Sequence, residues 1–137
     1  MKRSENTIRI LLADEHRLVC SAVSSLIETF DNMTVVAEVN SEQQLMREVA
    51  HYRVDVALID SAVVALSGLE SLTYLTDLCP GIRIIVLSTY SSDNFIRRLL
   101  EVGAYGFLHK NADVSALETA IRKAADGERF IFTAMGP

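Results

Sequence analysis

Apolar residues are grouped along this chain into five short runs, and segments with helical spacing of apolar residues separate them. Most of the runs are continuous rather than alternating, as is typical of strands buried on both faces of a parallel sheet. Strands and helices that alternate through short connections predict an α/β fold with a doubly wound, five-stranded parallel sheet. The predicted strands are residues 8–13, 33–39, 54–59, 82–87 and 105–108.

Helix caps and glycines support these element boundaries. Ser41 and Ser67 are each followed three residues later by Gln or Glu, a capping-box pattern that predicts the starts of the second and third helices. Gly103 and Gly127 follow the fourth and fifth helical segments, where glycine commonly ends a helix. Residues 128–137 have no partner in this scheme, so we expect a docked tail or the start of a further segment.

Length and charge limit the classes of function. With 137 residues, 50% of them hydrophobic, the chain fits one domain whose core needs neither metal nor disulfides. A formal net charge of −5 without a basic cluster argues against direct nucleic-acid binding. The two cysteines lack ligand spacing, and no apolar run reaches the roughly 18 residues of a membrane span. We therefore expect a cytoplasmic domain without a membrane anchor.

Charged and hydroxyl side chains follow the predicted strands at the ends that should share one edge of the sheet. Asp14 and Glu15 follow the first strand, Asp60 closes the third, Ser88 ends the fourth and Lys110 follows the fifth. Ligands of open parallel sheets bind at this edge. Three carboxylates suit Mg²⁺, which prefers oxygen ligands, better than they suit zinc. Lys110 could place a positive charge, and Ser88 a hydroxyl, against a phosphoryl group.

Each of these signals is weak when it is taken alone. Adjacent acids at the start of a helix can reflect a charge preference only, and an Asp after a strand is often a turn residue. His16, His51 and His109 have no ligand spacing and are interpreted as surface groups or groups behind the site. The order of the charged residues along successive strand ends is what predicts a pocket for a cation and a phosphoryl group.

The stretches that contain these residues resemble the receiver domain of two-component response regulators. The chain is most similar to the LuxR-like or NarL-like branch, whose full-length members carry a C-terminal helix-turn-helix DNA-binding domain. The similarity spans residues 8–129, nearly the whole chain. The matching stretches are ILLADEHRLV at 10–19, DVALID at 55–60, IVLS at 85–88 and GAYGFLHK at 103–110.

This resemblance implies a flavodoxin-like (βα)5 fold and a set of roles around Asp60. Asp60 is expected to be the phosphoacceptor and to take its phosphoryl group from a histidine kinase. Asp14 and Glu15, together with Asp60 and the backbone carbonyl of Ala62, are expected to hold Mg²⁺.

The resemblance implies roles for three further residues. Lys110 is expected to pair with the phosphoryl oxygens, and Ser88 to move toward them after transfer. Phe107 is the aromatic residue expected to change rotamer with Ser88, although an aromatic residue in a strand is normally a core residue.

The resemblance also implies partners and an output. A sensor histidine kinase is expected to supply the phosphoryl group. The domain is expected to catalyse only its own phosphorylation and dephosphorylation rather than to act as an enzyme. A homodimer is a further possible assembly. Residues 1–129 are expected to form the receiver, and residues 130–137 a tail or the start of a linker to an output domain absent from this sequence. That output domain, rather than this chain, would bind DNA and regulate transcription.

The residues after Asp60 depart from the pattern of the family. Members usually carry Met-Pro at the positions of Val63 and Val64, and loss of the proline removes a fixed φ and restores an N–H. The loop 62–66 is apolar, so it either forms extra helix or covers a partner site. The alternative function is therefore a degenerate receiver that acts as a phosphorylation-independent interaction module. An aspartyl-phosphate hydrolase is disfavoured, because Ala62 stands where such enzymes place a second Asp.

Overall fold

Six strands and five α-helices alternate along the part of the chain that the computed structural model describes, residues 6–64, 68–90 and 92–133. The five predicted strands are all present, with ends shifted by two residues at most. The strands are β1 (Ile8–Ala13), β2 (Met33–Val39), β3 (Val56–Asp60), β4 (Arg83–Ser88), β5 (Gly106–His109) and β6 (Phe130–Phe132). The helices are α1 (Arg17–Ile27), α2 (Glu42–Glu48), α3 (Glu70–Leu78), α4 (Asp93–Glu101) and α5 (Val114–Ala125).

The strands form one sheet in the order β2-β1-β3-β4-β5-β6, and every neighbouring pair is parallel. The chain runs outward from β1 to β2 and then returns to β3 on the other side of β1. At such a reversal the loops after two neighbouring strands diverge and leave a crevice at the carboxyl ends of the strands. The doubly wound topology expected from the sequence is therefore present, and it opens a crevice between β1 and β3.

Alternate strand residues enter two hydrophobic cores, one on each face of the sheet. Leu11 and Ala13 of β1 pack with buried residues of α2, α3 and α4, whereas Ile10 and Leu12 pack with buried residues of α1 and α5. Burial on both faces explains why the strands appear in the sequence as continuous apolar runs.

Side-chain caps begin three of the helices. The Ser41 hydroxyl accepts a hydrogen bond from the Gln44 N–H at 3.1 Å, as the capping-box pattern predicted. Ser92 and Asp113 accept equivalent bonds at the starts of α4 and α5. The cap predicted at Ser67 lies outside the described residues. Across the described ranges, no helix combines the length and the apolar character that crossing a bilayer requires.

The expectation of five strands was wrong in number, because the residues after α5 add a sixth. This helix ends in a Schellman motif: the Gly127 N–H donates to the Ala124 carbonyl, and the Glu128 N–H donates to the Lys123 carbonyl. Gly127 has φ of +82°, which glycine adopts without strain, and β6 then pairs with β5. A run of three apolar residues is too short to be recognised as a strand from its pattern. The extra strand leaves the fold class unchanged, and a domain boundary after residue 129 stays a prediction.

The pairing with β6 brings a backbone oxygen close to Gly106. A Cβ atom placed on Gly106 would lie 3.1 Å from the Phe130 carbonyl oxygen and 3.3 Å from the Ile85 Cγ1 atom. Optimal separations between non-bonded carbon atoms are about 3.5–4.0 Å, so a side chain here would be crowded on two sides. The absence of a side chain at this position therefore lets β6 approach β5.

We predict that Gly106→Ala lowers the free energy of unfolding by about 1–3 kcal/mol, because the β6 backbone and Ile85 must shift to accept the methyl group. Urea denaturation followed by circular dichroism measures the change. Ser115→Ala, at an exposed position of α5, is the control and should alter stability by less than about 0.5 kcal/mol. Equal stability of the Gly106 variant and the wild type would contradict the close approach of β6.

Candidate functional site

Two buried carboxylates and one ammonium meet in the crevice between β1 and β3. Asp60, the last residue of β3, is 4% exposed, and Asp14, directly after β1, is 6% exposed. The Lys110 Nζ atom lies 2.6 Å from Asp60 Oδ2 and 3.9 Å from Asp14 Oδ2. The structure thus brings together three of the residues that the sequence predicted to share one edge.

Backbone hydrogen bonds and a side chain from the next loop hold Asp14 in place. The Asp14 N–H donates to the Val39 carbonyl at 3.0 Å, and the Asn40 side-chain amide donates to the Asp14 carbonyl at 2.9 Å. The Asp14 carboxylate in turn accepts a hydrogen bond from the His16 N–H at 2.8 Å. These contacts leave the second carboxylate oxygen directed toward Lys110.

A single lysine cannot neutralise both acids. Carboxylates that share a buried site repel each other, and a nearby cation favours their charged forms. Lys110 supplies one positive charge and its side chain is 31% exposed, so the pair of acids keeps an excess of negative charge. The arrangement can therefore attract a further cation to the crevice.

Of the residues predicted as metal ligands, Asp14 and Asp60 lie in one cluster of possible ligand atoms, whereas Glu15 does not. Asp14, His16 and Asp60 each offer one ligand atom, and these atoms lie within 4.8 Å of one another. Glu15 is exposed and lies outside this cluster. Ala62 is exposed, and its N–H donates to Asp60 Oδ1 at 3.2 Å. The ligand roles of Glu15 and of the Ala62 carbonyl stay predictions.

Ser88 is buried at the end of β4, and other groups engage its hydroxyl. The Ser61 hydroxyl donates to Ser88 Oγ at 3.0 Å, and the Tyr90 N–H donates to the same atom at 3.0 Å. Within the described ranges, Asp60 accepts hydrogen bonds from Ala62 and Lys110 but none from Ser88. Ser88 is therefore close to the site along the sheet edge without a hydrogen bond to the Asp60 carboxylate.

Phe107 lies in β5, two residues before the end of the strand, and is fully buried. Its ring meets the ring of Phe95 edge to face, with centroids 6.3 Å apart. Phe95 also packs against the exposed Tyr90, with centroids 5.4 Å apart. This row of aromatic rings connects the interior of β5 with the loop after β4.

Sequence reasoning missed Ser61 and did not assign a contact to His109. His109 is 8% exposed, and its Nε2 atom lies 3.1 Å from the Thr89 carbonyl oxygen. The Asn111 N–H donates to Nδ1 of the same ring at 3.0 Å. The only sequence signal for these residues is position, because Ser61 follows Asp60 and His109 precedes Lys110.

The first part of the unusual apolar loop forms a helical turn. Residues Ser61–Val64 adopt a 3₁₀ helix, and Val63 and Val64 are buried in the core that contains Phe107. Of the two expectations for this loop, extra helix therefore describes residues 61–64. Ala65 and Leu66 lie outside the described residues.

A buried thiol lies behind the site. Burial, followed by the negative charges of Glu38 and Asp14, raises the pKa of the Cys20 thiol to about 11. This thiol is therefore neutral at physiological pH and adds no charge beneath the two carboxylates.

The same architecture characterises a large family of proteins. The response regulator receiver domain family matches residues 10–122, so the chain belongs to that family. Response regulator GacA of Pseudomonas viridiflava is 30% identical over 124 residues, which are 90% of this chain and 58% of that protein. A LuxR-family two-component response regulator from Aurantimonas sp. SI85-9A1 superimposes with a TM-score of 0.84 and 27% identity, over 90% of this chain and 89% of that one.

A third comparison concerns the fold alone. The isolated REC domain of RcsB from Salmonella enterica serovar Typhimurium, in the presence of the phosphomimetic BeF₃⁻, has a TM-score of 0.82 at 20% identity and covers 92% of this chain and 94% of that one. The chain spans somewhat more than half the length of the curated relatives it matches. The prediction of a receiver domain of the LuxR-like branch is confirmed.

We predict that Lys110→Met lowers the free energy of unfolding by about 1–3 kcal/mol when divalent cations are chelated, because the buried Asp60 carboxylate loses a hydrogen bond and both acids lose a compensating charge. Urea denaturation in the presence of EDTA measures this loss. The double variant with Asp60→Asn should regain part of it, since one of the two negative charges is removed. Lys123→Met, which removes an exposed pair with Glu128, is the control and should cost less than about 1 kcal/mol. A Lys110 variant as stable as the wild type would contradict this account.

Proposed function

We propose that this receiver domain accepts a phosphoryl group on Asp60 from a histidine kinase in a Mg²⁺-dependent reaction and then changes conformation to control an output. The observation that carries the proposal is the contact between Lys110 and the buried Asp60 carboxylate, with Asp14 beside them. Membership of the family supports the same assignment.

The proposed transfer requires little covalent chemistry from the protein. A carboxylate oxygen of Asp60 attacks the phosphorus atom of the phosphohistidine, a P–O bond forms, and the P–N bond to the imidazole breaks. Phosphoryl transfer depends mainly on positioning and on neutralising the charge of the phosphoryl oxygens. Lys110 already lies 2.6 Å from Asp60 Oδ2, so its ammonium can remain near those oxygens after transfer.

The donor set fits Mg²⁺. Asp14 and Asp60 offer carboxylate oxygens at the crevice, and the family pattern adds Glu15 and the backbone carbonyl of Ala62. Mg²⁺ prefers oxygen ligands and is commonly held by one or two carboxylates together with water and phosphate oxygens. When bound, the ion would neutralise developing charge on the phosphoryl group. His16 lies in the same cluster, but an imidazole suits transition metals better than Mg²⁺.

Phosphorylation would change the electrostatics of the sheet edge. It adds a charge of about −1.5 to −2 and three acceptor oxygens. Ser88 is the proposed hydroxyl that turns toward these oxygens, and Phe107 is the proposed aromatic residue that repacks with it. The row of rings from Phe107 through Phe95 to Tyr90 offers a route by which this repacking would reach the surface near α4.

The proposed output is transcriptional regulation, and it is inferred from the relatives rather than from residues of this chain. The matched relatives include the transcriptional regulatory protein DegU of Brevibacillus brevis, and the chain covers only part of their length. We therefore propose that a DNA-binding domain outside these 137 residues carries out transcriptional regulation. The net charge of −5 supports the view that the receiver itself does not bind DNA. A homodimer remains a further proposal.

We predict that a small phosphodonor with Mg²⁺ adds one phosphoryl group to the wild type and none to Asp60→Asn, because the Asp60 carboxylate, which Lys110 contacts at 2.6 Å, is the proposed nucleophile. Intact-protein mass spectrometry measures the mass gain. Asp77→Asn, which changes an exposed acid at the end of α3, is the matched control and should be phosphorylated like the wild type. Removal of Mg²⁺ with EDTA should abolish the gain.

Two results would count against the proposal. Equal phosphorylation of the wild type and Asp60→Asn would show that another residue accepts the group. A wild type that gains no phosphoryl group under any condition would favour the degenerate interaction module. Burial of Val63 and Val64 within the core already gives those residues a packing role that does not require a partner.

We predict that Glu15→Gln weakens Mg²⁺ binding by roughly tenfold, whereas His16→Ala leaves it unchanged, because Mg²⁺ selects oxygen ligands. Isothermal titration with Mg²⁺ measures both affinities, and Asp14→Asn provides the reference for loss of a central ligand. A strong effect of His16→Ala with no effect of Glu15→Gln would assign the site to the cluster Asp14, His16 and Asp60 and to a different metal.

A further inference from the structure

A chain of hydrogen bonds joins the carboxyl ends of β3, β4 and β5. At one end the Ser61 hydroxyl donates to Ser88 Oγ at 3.0 Å, and the Tyr90 N–H donates to the same oxygen at 3.0 Å. At the other end His109 Nε2 lies 3.1 Å from the Thr89 carbonyl oxygen. The proposed chemistry at Asp60 uses neither Ser61 nor His109.

The middle of this chain is a single peptide unit, which consists of the Thr89 carbonyl and the Tyr90 N–H. The two groups of a planar trans peptide point in opposite directions. Here each of them is hydrogen-bonded, the carbonyl to His109 and the N–H to Ser88. Rotation of this peptide therefore breaks both bonds, and its displacement together with Ser88 breaks the bond to His109 and the bond from Ser61.

The contacts of His109 define the tautomer of its ring. Nδ1 accepts a hydrogen bond from the Asn111 N–H at 3.0 Å, so it carries no proton. Nε2 faces a carbonyl oxygen, so it must carry the proton and donate. The tautomer with its proton on Nε2 satisfies both contacts at once and joins the end of β5 to the Thr89 carbonyl. The Lys110 N–H, which donates to the Ser88 carbonyl at 3.1 Å, continues the same connection along the strands.

We propose that Ser61 and His109 are positioning residues that hold segment 88–90 away from Asp60 in the unphosphorylated protein. This inference rests on the proposed function, in which Ser88 turns toward a phosphoryl group on Asp60. To do so, the Ser88 hydroxyl must leave its present partners. The two side chains together form a latch, and the latch sets the balance between the resting and the switched conformations.

The latch has a measurable consequence for ligand affinity. A ligand that binds the switched conformation has an apparent affinity reduced by the small population of that conformation. Loss of a latch bond raises this population, so the ligand should bind more tightly to a weakened variant. A side chain that merely supports the fold would show the opposite, because a less stable site binds its ligand less well.

The test is a titration of the full chain with BeF₃⁻ in the presence of Mg²⁺, followed by NMR of the Tyr90 and Asn111 amides. Ser61→Ala and His109→Leu should each raise the apparent affinity for BeF₃⁻ roughly two- to tenfold, the range expected for loss of one net hydrogen bond. Ser115→Ala, on the exposed face of α5, is the control and should leave the affinity unchanged.

Two conservative variants separate the bonds that His109 makes. His109→Gln can keep a donor near the position of Nε2 and should return the affinity toward the wild-type value. His109→Asn can keep an acceptor near the position of Nδ1 but loses the contact with Thr89, so it should resemble His109→Leu. Thermal unfolding of each variant verifies that it is folded. If His109→Leu does not fold, the affinities of Ser61→Ala and His109→Gln for BeF₃⁻ provide the test of the latch.

The outcomes distinguish this inference from the function on which it rests. A wild type that responds to BeF₃⁻, with affinity equal or weaker in the folded Ser61→Ala and His109→Leu variants, overturns the latch and leaves phosphorylation of Asp60 intact. A wild type that shows no response to BeF₃⁻ overturns the proposed function and the latch together. Tighter binding of BeF₃⁻ by Ser61→Ala and His109→Leu, with an affinity of His109→Gln close to that of the wild type, supports the latch.

Discussion

The proximity of two buried acids governs the chemistry of this protein. Asp14 directly follows β1 and Asp60 ends the neighbouring β3; both are almost completely removed from solvent and share one lysine. Burying a charge is costly unless a partner compensates for it, and Lys110 compensates for only one of the two acids. The crevice is therefore left short of positive charge, and this deficit makes it suitable for a divalent cation and, with that cation, a phosphoryl group.

The sheet topology is what produces this proximity. Because the chain winds from β1 to β2 and then returns past β1 to β3, the ends of β1 and β3 lie side by side while their loops diverge. Parallel pairing of β4 and β5 then brings Ser88 and the residues before Lys110 to the same edge. Burial on both faces fixes the strand register, since a slip of one residue would exchange the two cores. The geometry of the site thus depends on core packing several residues away from it.

The loops at this edge are connected more closely than their separation in sequence indicates. Ser61 directly follows β3 and His109 ends β5, yet both are hydrogen-bonded to segment 88–90, which begins with the last residue of β4. The aromatic residues Phe107, Phe95 and Tyr90 form a second connection from the core to the same loop. Polar contacts from Ser61 and His109 and apolar contacts from Phe107 through Phe95 therefore converge on segment 88–90.

The placement of Asp14, Asp60 and Lys110 could be predicted because strands of a parallel sheet align their carboxyl ends, and each of these residues follows an apolar run long enough to be recognised. The orientation of the Glu15 side chain could not be predicted in this way, since adjacent loop residues point in different directions and the loop conformation decides which way each one faces. The contact between His16 and the Asp14 carboxylate is likewise a product of the loop conformation.

The amino-acid sequence by itself determined the fold class, five of the strands and the residue types at the sheet edge, because apolar periodicity and strand-end position are local properties. Only the tertiary structure decided that Phe130–Phe132 pairs with β5, that Val63 and Val64 enter the core, and that Ser61 and His109 are hydrogen-bonded to segment 88–90. Those features depend on contacts between segments far apart in the chain. A three-residue strand or a single hydroxyl carries no periodic signal of such contacts.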